Sequence, residues 1–162
     1  MITPDTAFRM TGFERVDGFG RGGNDYASLY GTHGDDLLNS ADNFAWIRGV
    51  GHLGYAKGFD RVDVFGRGGS NLAKMEGTTS DDVYVSTDVY GMLIQDHMRT
   101  YAKGFYAVEV IGNGGTDAAY VSEHSADSFF SEFETEDASI QAYARREGRS
   151  EWFEGDFDIF ET

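Results

Sequence analysis

The side chains with the clearest chemical potential in this sequence are the carboxylates of its glycine turns. The turns GRGGND and GTHGDD carry Asp25, Asp35 and Asp36, and GTTSDD carries Asp81 and Asp82. GNGGTD ends at Asp117 and SEHSAD at Asp127, whereas GRGGSN ends at Asn71. Hard cations such as Ca²⁺ are held by carboxylate and carbonyl oxygens grouped on a bent backbone. Asp25, Asp35, Asp36, Asp81, Asp82, Asp117 and Asp127 are therefore the candidate metal ligands, with Ca²⁺ as the metal. The same side chains have a second use, because Asp and Asn cap turns by accepting backbone N–H groups. The spacing alone leaves both uses open.

Two further sets of residues bear chemistry. Arg15 with Asp17, and Arg61 with Asp63, stand two apart and so share one face of a strand. They read as a solvent-facing row of charges or as part of a sugar-binding face, for which Trp46, Tyr84, Tyr90 and Trp152 are the aromatic candidates. The four histidines, His33, His52, His97 and His124, occupy unmatched positions. No His-Glu-x-x-His, Gly-x-Ser-x-Gly or phosphate-loop pattern is present. No catalytic residue is assigned.

Composition narrows the classes. Twenty-eight acidic residues against 13 basic ones leave a charge of −15 over 162 residues. Nucleic-acid binding needs clustered Lys and Arg, so none is expected. The chain has no Cys, which excludes disulfides and thiolate metal sites. No apolar run is long enough to cross a bilayer as a helix, and no membrane insertion is expected. Aromatics at 15% supply the area for a packed core despite the charge.

The elements that must position these residues are repeated. GFERVDGFGRGGND begins at Gly12, GFDRVDVFGRGGSN at Gly58 and GFYAVEVIGNGGTD at Gly104, each 46 residues after the last (58 − 12, 104 − 58). The approach Tyr55-Ala56-Lys57 returns as Tyr101-Ala102-Lys103. In the second unit, Phe59–Phe65, Leu72–Glu76, Val83–Ser86 and Gly91–Met98 read as four strands separated by turns. Ala138–Arg146 reads as a short helix. Such units suit a right-handed parallel β-solenoid, all-β, at about two coils per unit. The alternative is a set of β-propeller blades, which needs about four or more to close. The expectation is one domain over 1–162, with units at about 9–54, 55–100 and 101–143 and a C-terminal cap at 144–162. Phe153, Phe157 and Ile159 are expected in its final strand. Like side chains should lie above like, with Phe13, Phe59 and Phe105 in one internal column.

The turns resemble the Gly-Gly-x-Gly-x-Asp repeats of the repeats-in-toxin family, in which stacked turns bind calcium. Here the two turns of a unit start 11 apart (Gly20, Gly31) rather than at that family's nine-residue interval. The whole unit is similar to tandem Gly/Asp-rich repeats of large bacterial surface proteins. That resemblance implies a non-catalytic module of an exported or cell-surface protein, serving adhesion, glycan binding or spacing, with Ca²⁺ as a stabiliser. Glycan and self-association are the expected partners. The competing expectation is a polysaccharide lyase or hydrolase built on the same β-helix.

Overall fold

The computed structural model describes residues 9–122, 129–132, 140–146, 149–154 and 157–161. All regular structure among them is strand. In chain order these are β1 (Arg15–Phe19), β2 (Tyr26–Tyr30), β3 (Leu37–Ala41), β4 (Phe44–Gly49), β5 (His52–Lys57), β6 (Arg61–Phe65), β7 (Leu72–Glu76) and β8 (Val83–Ser86). Then follow β9 (Tyr90–Ile94), β10 (Arg99–Lys103), β11 (Ala107–Ile111), β12 (Asp117–Val121), β13 (Phe129–Glu132), β14 (Ile140–Arg146), β15 (Arg149–Glu154) and β16 (Phe157–Glu161).

Two sheets face each other across one core. The first has the order β1-β5-β4-β3-β7-β11-β15-β14-β13 and the second β16-β12-β8-β9-β10-β6-β2. The chain shuttles between them as a β-solenoid of about three turns. Parallel pairs join strands from successive passes, such as β3 with β7 and β7 with β11. Separate antiparallel blades, as in a propeller, are thereby ruled out.

The period-2 alternation builds the core. Val62 and Val64 of β6, Ala73 and Met75 of β7, Tyr84 of β8, Leu93 of β9 and Val108 and Val110 of β11 point inward and are fully buried. Small residues such as Ala45, Ala56 and Ala102 share the same interior. Mixing large and small residues lets the two inner faces interdigitate.

Among the described residues each unit holds five strands rather than four. The stretch expected as one strand, Gly91–Met98, is β9 followed by a turn in which Gln95 N–H donates to Met98 C=O at 2.9 Å, and β10 begins at Arg99. The third, fourth and fifth strands form an antiparallel meander within one sheet, β3-β4-β5 in the first unit and β8-β9-β10 in the second. One unit therefore makes three passes between the sheets, an odd number. Its successor starts in the opposite sheet: β1 and β11 belong to the first sheet, β6 to the second.

This overturns the expected column of like residues. Phe13 is 60% exposed, Phe59 is partly buried against the core and Phe105 is 5% exposed. Strand β6 pairs with β2 and β10, never with its sequence equivalents β1 and β11. The vertical step is 35 residues, as in Asp25 to Asp60, Asp36 to Asn71 and Asp82 to Asp117. The turns of one unit stand 11 apart and the units 46 apart, so a second turn sits beneath the next unit's first turn.

The repeated Gly-Phe glycines are explained by this stacking. Gly58 and Gly104 have φ of +74° and +79°, and a Cβ on Gly58 would lie 2.7 Å from the Gly20 carbonyl oxygen. Gly104 stands in the same relation to Gly66. Only glycine satisfies both the left-handed backbone and the close approach.

The C-terminal region differs from expectation in two ways. Residues 140–146 form β14 and not a helix, paired antiparallel with β13 and β15. The alternation through Phe153 and Phe157 belongs to two strands in opposite sheets, β15 beside β11 and β16 beside β12. Their rings meet edge-on at 5.9 Å across the core. Residues 149–154 thus lie within the stack, between β11 and β14, rather than across its end.

Candidate functional site

The acidic turns line the long edges of the solenoid, where the chain crosses between sheets. Six of the seven candidate ligands are described, and each accepts a backbone N–H. Asp25 Oδ2 takes Arg21 N–H at 3.2 Å, Asp36 Oδ2 takes Thr32 N–H at 2.9 Å, and Asp82 Oδ2 takes Thr78 N–H at 2.5 Å. Three others reach an adjacent layer: Asp35 Oδ1 takes Ser70 N–H at 2.7 Å, Asp81 Oδ1 takes Thr116 N–H at 2.7 Å, and Asp117 Oδ1 takes Asp82 N–H of the preceding layer at 2.9 Å. Asp127 lies outside the described residues. Asn71 does the same task without charge, accepting Asp36 N–H at 2.8 Å and donating to Gly104 C=O at 2.8 Å. Burial raises the Asp82 carboxyl above its ordinary value, opposed by the hydrogen bonds from Thr78. Among the described residues, no three His, Asp or Glu side chains are grouped as a metal site.

The outer faces of the two sheets differ in kind from the turns. On the first sheet β1, β5 and β4 lie side by side, and Phe19, Tyr55 and Phe44 form an aromatic cluster, with Tyr55 6.1 Å from each of the other two. On the second sheet β6, β10 and β9 repeat this order, and Phe65, Tyr101 and Tyr90 cluster with separations of 6.1 and 4.7 Å from Tyr101. These are the same sequence positions one unit apart, now on opposite sides of the molecule. Phe19 is 62% exposed and Phe65 half-buried, both directed outward.

Each cluster carries an Arg–Asp pair. Arg15 Nε donates to Asp17 at 3.0 Å. Arg61 donates to Asp63 through Nε at 2.7 Å and Nη2 at 2.9 Å. The hydrogen bond to its aspartate raises each arginine above its ordinary pKa. The second cluster is extended by β2. Tyr26 O–H donates to Asp63 Oδ2 at 2.8 Å, and the Arg61 guanidinium lies 5.7 Å from the Tyr26 ring centre. Tyr30 stacks on Phe65 at 5.0 Å, and the Arg67 guanidinium lies 4.8 Å from the Tyr30 ring centre. Partial burial first, and the bond to Asp63 besides, raise the Tyr26 hydroxyl above its ordinary value against the lowering bond from Ser28. Because the pairs Arg15–Asp17 and Arg61–Asp63 face opposite ways, they do not form one row.

Of the aromatic platform candidates, Tyr90 is in the second cluster, and Trp46 stands outward on β4 in register with Tyr55. Tyr84 is fully buried; it packs edge-on against Phe153 at 5.6 Å and donates to Glu151 at 3.1 Å. It is a core residue. The side chain of Trp152 lies outside the described set. His33, His52 and His97 join neither cluster, and His124 is not described. The residues missed, Phe19, Phe44, Tyr55, Phe65 and Tyr101, carried a signal: repeated aromatic positions with the parity of Arg61 and Asp63 rather than of Val62 and Val64. Compared with known proteins, the chain matches no family model, no curated protein and no solved structure.

Proposed function

We propose that this chain is a non-catalytic repeat module of an exported or cell-surface protein that binds glycan through its outer aromatic faces. The observation that carries this reading is the recurrence of one constellation on both faces: three outward rings beside an Arg–Asp pair. Ring faces pack against the C–H faces of sugars, while guanidinium and carboxylate groups exchange hydrogen bonds with hydroxyls. The strands supply a rigid, preorganised platform, which keeps the ordering cost of binding low.

A glycan array combined with a reducing-sugar assay tests this reading. Retention of a polysaccharide without release of reducing ends is the expected result. Turnover would favour the lyase or hydrolase reading, and retention of no glycan would remove the proposal. Calcium enters only through the turns. Their carboxylates already accept backbone N–H groups, so binding there would have to compete with the caps that hold the layers together.

A further inference from the structure

We infer that each outer face holds one strand of an acidic, carboxylate-bearing polysaccharide, so that one molecule bridges two polymer strands. This rests on the glycan-binding reading and adds to it the charge class of the ligand and the number of sites.

The charge class follows from where the cations sit. The outward charges on β1, β5 and β4 are Arg15, Arg48 and Lys57 against Asp17. Those on β6, β10 and β9 are Arg61, Arg99 and Lys103 against Asp63. Within these six strands the outward charged side chains are therefore six basic and two acidic. In a protein of net charge −15 these strands carry a local excess of positive charge on each outer face. Such a field attracts an anion, and Arg presents a fork matched to carboxylate.

On the first face Asp17, 30% exposed beside Arg15, can also accept hydrogen bonds from sugar hydroxyls, which a phosphodiester backbone does not offer. On the second, Asp63 is 5% exposed and its oxygens are taken by Arg61 and Tyr26. The number of sites follows from the odd count of passes per unit. Phe19, Tyr55 and Phe44 lie on the outside of one sheet, and Phe65, Tyr101 and Tyr90 on the outside of the other. Packed sheets are about 10 Å apart, so two bound strands would run on opposite sides without meeting.

The test uses the whole chain with polygalacturonate as the acidic polymer, dextran as the neutral one and oligothymidylate as the nucleic-acid control. Calorimetry with short oligogalacturonate should give two equivalents bound per chain, and light scattering should show networks with the long polymer. Phe19→Ser with Tyr55→Ser should lower the stoichiometry to one and abolish the networks while binding persists. Tyr90→Ser with Tyr101→Ser should do the same. Arg48→Ser with Lys57→Ser, and Arg99→Ser with Lys103→Ser, remove only exposed charges and repeat the test without touching the packing. Each of these should weaken one site at least tenfold and make the remaining affinity less dependent on salt. A stoichiometry of one in the wild type, or networks that survive loss of one face, would overturn bridging. Preference for dextran or for oligothymidylate would overturn the charge class. Binding to none of the three would remove the glycan-binding reading itself.

Discussion

The turns along the edges and the faces of the sheets use charge in opposite ways. In the turns, acidic side chains are consumed by the backbone: Asp36, Asp82 and Asp117 are buried, and their oxygens hold N–H groups of their own turn or of the preceding layer. On the faces, basic and aromatic side chains stand outward around one aspartate per cluster. The contrast teaches that abundance of a residue type does not locate function. The 28 acidic residues dominate the composition, yet the described turn carboxylates serve the fold, and the scarcer cations mark the faces proposed to meet a partner.

Substitutions that affect one region and spare the other sharpen this contrast. The largest effect belongs to the core beneath both. Phe105→Ala should cost about 3–5 kcal/mol, whereas Phe13→Ala at the matched but exposed position should cost less than about 0.5 kcal/mol. Urea melts of the two variants measure the difference, and equal losses would restore the like-on-like column. Next, Asp36→Ala removes the acceptor for Thr32 N–H and Thr32 O–H and should cost about 1–3 kcal/mol without changing polymer retention. A loss of retention at unchanged stability would place function in the turns instead. Tyr30→Ser removes a ring stacked on Phe65; it should cost about 0.5–1.5 kcal/mol and weaken polysaccharide retention in an affinity gel.

The smaller effects concern the buried carboxyl and the metal. Burial raises Asp82 above its ordinary 3.8, so the folded chain holds that proton more tightly than the unfolded chain. Its contribution to stability is fully present below the unfolded value and is lost as pH rises through the folded one. Asp82→Asn should therefore gain stability relative to wild type over the acidic range above 3.8, read as the difference of two melting curves. A difference that stays constant over this range would show that burial does not penalise the charge. Smallest of all is the response to Ca²⁺. With the turn oxygens already accepting N–H groups, Tm should be the same in EDTA and in millimolar Ca²⁺, and a rise with Ca²⁺ would make the turns a metal site after all.

Much of the fold could be read from residues. The three copies at Gly12, Gly58 and Gly104, the turn glycines and the inward valines all announced a stacked all-β chain. The exchange of sheets between units could not be read once four strands per unit were assumed. Two-residue loops at Asp42-Asn43 and Val50-Gly51 bend β3, β4 and β5 into a meander, and Asp42 takes a φ of 44° there. In the second unit the corresponding bend runs through Gln95, Asp96, His97 and Met98, which contain no Gly or Pro to mark it. Without that bend the passes per unit come out even, and every face assignment shifts. The aromatic clusters were hidden by the same bend, since Phe19 meets Tyr55 and Phe44, and Phe65 meets Tyr101 and Tyr90, only once the meander sets those strands side by side.

The alternation of sheets gives the number of units a geometric meaning. From β1 to β11 the chain advances 92 residues (107 − 15) and five places along one sheet, roughly 24 Å at the usual strand spacing. Inserting or deleting a single unit would carry everything downstream half a turn round the axis, whereas a change of two units would only lengthen or shorten the rod. Tandem duplication in this architecture therefore acts as a rotary register: odd steps re-aim whatever follows, and even steps adjust reach.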